Sequence, residues 1–472
     1  MLTKDIRRTS ILISIASTVI YLWIIIYLEL YPLILVAPFI SLIIYPYVKI
    51  FIFRNRIKRI DNELLEFLSL LINFEAIGLH MNDLFKMIAS REIEIGKALS
   101  YVAQKYVSLE KLYSDHIHAL SKLATMFKNT RFSKFLEGYV GILQTTGDTL
   151  NYTETMLNEE LSRLETDING VVGFIENFYE AYLIILLTVI VLSGLPGAIK
   201  ARSLVYYVLL AINSIAFMLS WHIIYKLYRY EPSIITIFSY LNILLASLLP
   251  LFAPTYIVFP ILFIVAVASI IISRVSIDWI KNVESSLYEL TEDLYSETKH
   301  GFTIDRALER LSDRSVSYKY IAYEITRLLK IGLKGDRIAS AVNTSPLVAK
   351  ILKMLLSPIE YSYDHSRHVG FTIRFLRRLY SIRDHLIMRA HVLFLYTLIL
   401  PVTAYVIAYG LLSMASSPFI TIDPNGLDGY IIASSIPAWF IACRIIDGYS
   451  LYSWKNTLMI IENILLYILF NL

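Results

Sequence analysis

The chain has 472 residues, 56% hydrophobic and only 17% charged, with a mean hydropathy of +0.59 and a formal net charge of +4. Soluble domains carry about 25% charged residues, so this composition argues against an ordinary water-soluble fold and excludes disorder and collagen. The single cysteine, Cys443, excludes an internal disulfide, and the small net charge gives no argument for nucleic acid.

Lys4, Arg7 and Arg8 precede an apolar run from Ile11 to Tyr27, and Glu29, Tyr31 and Pro32 break it from a second run, Leu33 to Phe53. Arg54, Arg56, Lys58 and Arg59 close this pair. Two runs near the ~20 residues of a spanning helix, both flanked by cations, predict a membrane hairpin over residues 1–59 with its ends in the cytoplasm. Residues 60–175 are charged and helical in pattern. Leu64, Phe67, Leu68 and Leu71 form one apolar stripe, Gly78 stops it, and Met81, Leu84, Phe85 and Ile88 restart it.

Apolar blocks return at Tyr179–Leu195, Leu204–Ile224, Ile234–Phe252 and Thr255–Ile272, predicting four spans over residues 176–275. Lys200 and Arg202 between the first two run mildly against the positive-inside bias. A second charged helical stretch covers residues 276–389, where Gly301 is the expected turn and Thr303 the expected N-cap. Three more spans, His391–Leu412, Gly429–Ile446 and Leu458–Leu472, are expected within residues 390–472. The expected fold is therefore an all-α polytopic membrane protein of about nine transmembrane helices with two helical bundles. An even number of spans between the bundles puts both in the cytoplasm, with the N-terminus inside and the C-terminus outside.

The two charged stretches resemble each other. Gly78 and Gly301 are 223 residues apart, as are Gly147 and Gly370, and apolar positions such as Leu64/Leu287 and Phe85/Leu308 keep that spacing. All four glycines read as structural turns. The repeats are parallel, whereas one common mark of alternating-access transporters is an inverted repeat.

The chemistry-bearing motifs are sparse. There is no G-x-x-x-x-G-K-[ST] and no H-E-x-x-H, so neither a nucleotide nor a metal site is expected, and no cofactor or catalytic residue is singled out. Gly332-Leu333-Lys334-Gly335 reads as an interhelical turn, and His116/His118 and His365/His368 read as solvated. Arg444 and Asp447 read as a structural ion pair with Arg444 reaching for the interface, and Glu462 as bonded to a neighbouring helix. Asn213 and His222 stand alone. Arg306, Arg310, Arg327, Lys330, Lys334 and Arg337 cluster in the second bundle, followed by Arg374, Arg377, Arg378 and Arg383. They offer either contacts to anionic membrane lipids or a docking surface for an acidic cytoplasmic partner.

The words Ala76-Ile77-Gly78-Leu79-His80-Met81 and Lys299-His300-Gly301-Phe302-Thr303-Ile304, with Gly147-Asp148-Thr149-Leu150 and Gly370-Phe371-Thr372-Ile373, resemble those of type II secretion F domains. Two such domains separated by spans look like the archaeal assembly-platform proteins of type IV pili and the archaellum. The resemblance implies a non-enzymatic platform that couples a cytoplasmic hexameric secretion ATPase to insertion or extraction of pilin or archaellin subunits. It also implies a homodimer beneath the motor, with the basic residues above as the ATPase-docking surface. The rival reading is a polytopic transporter with large cytoplasmic regulatory bundles, which would favour short loops and paired broken helices around a midplane site.

Overall fold

A computed structural model describes residues 60–193, most of 206–220, and 233–471 with breaks at 315–316, 334, 343–344, 362–364, 414–423 and 448–454. The expected N-terminal hairpin lies outside the described residues. Every regular element among the described residues is helical, so the fold is all-α. The chain divides into two compact units, one up to Asn158 and one from Glu159.

The first unit is a helical bundle around α1 (residues 60–76). Leu64, Phe67, Leu68, Leu71 and Phe74 are buried on it, and the Phe67 ring stacks on Phe85 at 5.2 Å. The helix stops at Gly78, whose φ of +86° disfavours any side chain. Leu79 N–H donates to Phe74 O (3.0 Å) and Gly78 N–H to Glu75 O (3.0 Å), a Schellman cap that satisfies the last carbonyls. There follow α2 (Met81–Ala89), α3 (Lys97–Tyr113), α4 (His116–Met126), α5 (Arg131–Thr145) and the start of α6 (Thr149–Ser193). Asp115 caps α4 and Thr130 caps α5 through their side chains. The expected left-handed glycine at 147 is present, with φ +72°.

In the second unit, α7 (Leu209–Met218) and α8 (Ser233–Phe252) precede α9 (Thr255–Lys299), 45 residues long. Its last turns repeat the arrangement seen at Gly78. Gly301 has φ +83°, Phe302 N–H donates to Glu297 O (3.3 Å) and Gly301 N–H to Thr298 O (3.0 Å). The next helix, α10 (Ile304–Ser312), has nine residues, as α2 has. Its buried Ile304, Ala307, Leu308 and Leu311 stand 223 positions after Met81, Leu84, Phe85 and Ile88. Then come α11 (Lys319–Lys330), α12 (Gly335–Ala341), α13 (Pro346–Leu356) and α14 (Ser366–Ser413), the same helix order as in the first bundle.

The constant spacing does not persist. Thr130 and Ser345 make the same N-cap, each hydroxyl accepting the N–H three residues on, at 2.9 and 3.3 Å. Yet 52 residues separate Gly78 from Thr130 and only 44 separate Gly301 from Ser345. The loss falls in α11 and α12, with 12 and 7 residues where α3 and α4 have 17 and 11. Gly370 is therefore not the counterpart of Gly147 and not a turn. It lies inside α14, buried, where an added Cβ would stand 3.0 Å from the Tyr295 ring of α9. Thr303 does occupy the N-cap of α10, but its side chain accepts no capping hydrogen bond.

Among the described residues, two helices are long and apolar enough to cross a membrane: residues 366–410 of α14 and 428–447 of α15 (Pro424–Asp447). Shorter apolar helices cover 209–218, 240–250, 255–268 and 457–470, the last within α16 (Lys455–Asn471). Residues 428–446 of α15 are buried on every side, so this helix is the core of the second unit's apolar part. Gly429 lets the Tyr206 hydroxyl and Pro250 approach its backbone where a Cβ would stand. Around it, large apolar side chains face outward, among them Leu395, Ile399 and Val406 of α14 and Tyr256, Ile264 and Ile271 of α9.

Candidate docking surface

Of the six cations expected to form a docking surface, Lys334 lies outside the described residues, and the other five sit on α10, on α11 and in α12. Arg310, Arg327 and Lys330 are paired with the bundle's own carboxylates. Arg310 Nη1 lies 3.3 Å from Glu297 Oε2, while Arg314 Nη2 lies 2.5 Å from the other oxygen of that carboxylate. Glu297, only 7% exposed, thus ties the end of α9 to α10 and the residues just after it. The Arg310 guanidinium also covers the Phe302 ring at 4.3 Å. Arg327 pairs with Glu324 (2.6 Å) and Lys330 with Glu309 (2.7 Å). The hydrogen bond from Lys330 holds the Glu309 carboxyl below the usual range. Arg306 and Arg337 are exposed and have no carboxylate within 4.0 Å among the described residues.

The clustered charge is therefore largely internal. Sequence proximity alone places cations near one another; it does not reveal that Glu297, Glu309 and Glu324 face three of them. The later basic run behaves in the same way. Arg377 lies 3.6 Å from Glu292, Arg378 2.7 Å from Glu165 and Arg389 3.1 Å from Glu176. Arg374 stacks over Phe371 and Arg383 over Tyr380.

What pattern reasoning missed is the outer face of α11. Ile321, Ala322, Ile325 and Leu328 turn inward and are buried. Tyr320 (63% exposed), Tyr323 (57%) and Ile331 (70%) point outward, with Arg327 between them. The helix is apolar on two faces, and helical periodicity assigns only one of them to the core.

Other expectations resolve in place. His365 and His368 are buried, not solvated, with ring centroids 5.2 Å apart and His368 Nε2 3.3 Å from Leu355 O. His118 closes on Asp115 at 2.5 Å, and that bond pulls the Asp115 carboxyl down. Gly332, with φ +80°, ends α11 as expected, and Ser114, with φ +54°, takes the same left-handed conformation at the end of α3. No group of three or more His, Cys, Asp or Glu side chains could hold a metal ion among the described residues.

Within the apolar part, Asn213 is not isolated. Its amide donates to Ala433 O (3.1 Å) and to Ser247 Oγ (3.3 Å). Ser435 Oγ donates to Asn463 Oδ1 (3.1 Å). Arg444 does not reach for an interface: it is wholly buried, 4.1 Å over the Phe217 ring. Asp447 lies 3.8 Å from Lys455. Glu462 has no hydrogen-bond partner among the described residues, and His222 lies outside them. No protein-family model, curated protein or solved structure matches the chain.

Proposed function

We propose that the chain is the membrane platform of an archaeal type IV pilus-like filament machine. It couples a cytoplasmic secretion ATPase to assembly of pilin subunits and catalyses no covalent chemistry itself. The observation that carries this reading is the paired bundle entry: a Schellman glycine followed by a nine-residue helix, with four buried positions in constant register at Gly78 and at Gly301. Each bundle also ends in a helix far longer than a bundle needs, 45 residues in α6 and 48 in α14. A helix of that length spans about 70 Å, enough to carry displacement from a cytoplasmic module into a bilayer.

The inside-out polarity of the second unit supports the membrane setting. Apolar side chains such as Ile399 and Ile264 face outward, while amides and hydroxyls bond one another around α15. Surfaces of that kind in water mark membrane or protein contacts, and interhelical polar bonds are a common means of joining membrane helices. In this reading about nine spans cross the membrane, both bundles are cytoplasmic, and the C-terminus lies outside. The apolar helices form the wall against which a pilin helix inserts, and a homodimer sits beneath the motor.

Co-purification of the full-length protein with the secretion ATPase encoded in the same genome tests the proposal. A stable complex is expected. Substrate-dependent transport by the protein alone in liposomes, with no ATPase binding, would replace it with the transporter reading.

A further inference from the structure

We infer that the outer face of α11 is the surface on which an acidic protein partner docks; the inference rests on the platform reading for the partner's identity, the secretion ATPase. Tyr320, Tyr323, Arg327 and Ile331 fall at i, i+3, i+7 and i+11, so they form one stripe along the helix and just past its end. The three apolar and aromatic members of the stripe face away from the bundle core. The core side of α11 is already filled by Ile321, Ile325 and Leu328. Neither phenol makes a hydrogen bond among the described residues. The cap that ends the helix uses Leu333 N–H on Leu328 O (3.2 Å) and Gly332 N–H on Leu329 O (2.8 Å). The apolar contact that accompanies such a cap joins residues at those outer positions, so Ile331 is not needed for it.

Tyrosine and arginine carry a disproportionate share of binding energy at protein interfaces. Here two tyrosines and an isoleucine share a face with Arg327, on a helix whose three cations, Lys319, Arg327 and Lys330, face two carboxylates, its own Glu324 and Glu309 of α10. That charge excess selects an acidic occupant. The internal pairs do not block it. The Arg327 and Lys330 side chains are 56% and 65% exposed, and ion pairs so exposed contribute little. A partner carboxylate can therefore take over either cation at small cost.

The test measures binding of the cognate ATPase to the full-length protein in neutral-lipid nanodiscs, with retention on anionic-lipid vesicles read in parallel. Tyr323→Ala and Arg327→Glu should each weaken ATPase binding at least about tenfold, while Tyr323→Phe stays within about threefold and melting temperatures hold. Ile331→Ser, at the C-cap of α11, reads the same face outside the helix interior and should also weaken binding. Wild-type affinity in Tyr323→Ala and Arg327→Glu overturns the docking surface and leaves the platform reading standing. Wild-type ATPase affinity with loss of retention on anionic vesicles overturns it in favour of a lipid contact. Absence of any ATPase binding by the unaltered protein removes the platform reading and this inference together.

Discussion

Arg378 of α14 and Glu165 of α6 form an ion pair at 2.7 Å, and eleven residues further along both helices Arg389 and Glu176 pair at 3.1 Å. The sequence separation is 213 in both cases, so the helices that leave the two bundles run parallel and in step. His385 adds a contact to Glu165 at 3.6 Å, and Arg389 reaches Asn169 at 3.4 Å. All the carboxylates sit on α6 and all the cations on α14. This arrangement favours the pairing of unlike helices and disfavours either helix pairing with its own copy.

Charge reversal measures the ladder. Glu165→Arg should lower the melting temperature, since it loses two contacts and sets like charges together. The swapped pair Glu165→Arg with Arg378→Glu should recover most of the loss. Exposed pairs of this kind couple by about 0.2–1 kcal/mol each. A double-mutant cycle that returns no coupling would show that the helices are held by apolar packing alone.

The first bundle contains a cap supplied from outside its helix. The Glu63 carboxylate accepts Leu99 N–H (2.8 Å) and Ala98 N–H (3.3 Å) at the start of α3, where the helix dipole favours an anion. It reaches them because Gly96 has no Cβ; that atom would overlap the Glu63 carboxyl. Gly96→Ala should therefore destabilise the bundle by about 1–2 kcal/mol, as loss of a helix cap does, despite alanine's better helix propensity. Thermal melting of this variant beside Glu63→Ala checks it, and the two losses should not add.

Glu75 gives the first bundle a pH dependence. Burial raises its pKa above the usual 4.5, outweighing the hydrogen bond from Tyr139 at 2.6 Å. A carboxyl with a raised folded pKa stabilises fully below its unfolded pKa, and that contribution fades as pH rises through the folded value. The bundle should lose stability from about pH 4.5 upward through the raised pKa of Glu75. Glu75→Gln should flatten that slope. An unchanged slope in the variant would assign the dependence to another group.

The cations of the second bundle should separate by what they hold. Arg310→Glu should lower the melting temperature, because Glu297 loses a partner and gains a like charge. Arg306→Glu and Arg337→Glu should leave melting unchanged and weaken ATPase binding through loss of long-range attraction. Equal melting in all three would mean that the Glu297 clamp contributes nothing.

The parts of this fold legible in the sequence are those set by local physics. The Leu64–Leu71 stripe and the stops at Gly78 and Gly301 follow from helical period and left-handed backbone, and both are present. Gly370 was legible only as a glycine at a matching distance. The shortening of α11 and α12 broke the register upstream, and a glycine chosen for close helix approach looks the same as one chosen for a turn. The docking cations were visible as a cluster but their internal partners were not, because Glu297 and Glu309 meet them only after the chain has folded. His365 and His368 looked polar and therefore solvated, whereas packing around the start of α14 buries them. Tyr320 and Tyr323 were hidden for the opposite reason, since aromatic residues at helical spacing read as core.

The most direct measurement is side-specific labelling of one exposed position in each bundle, Lys122→Cys and Lys319→Cys, with a membrane-impermeant thiol reagent; the native Cys443 is buried. Both sites should react in inside-out vesicles and neither in intact cells. Reaction of one bundle's cysteine from the cell exterior would contradict a platform whose two modules are available to a single cytoplasmic motor.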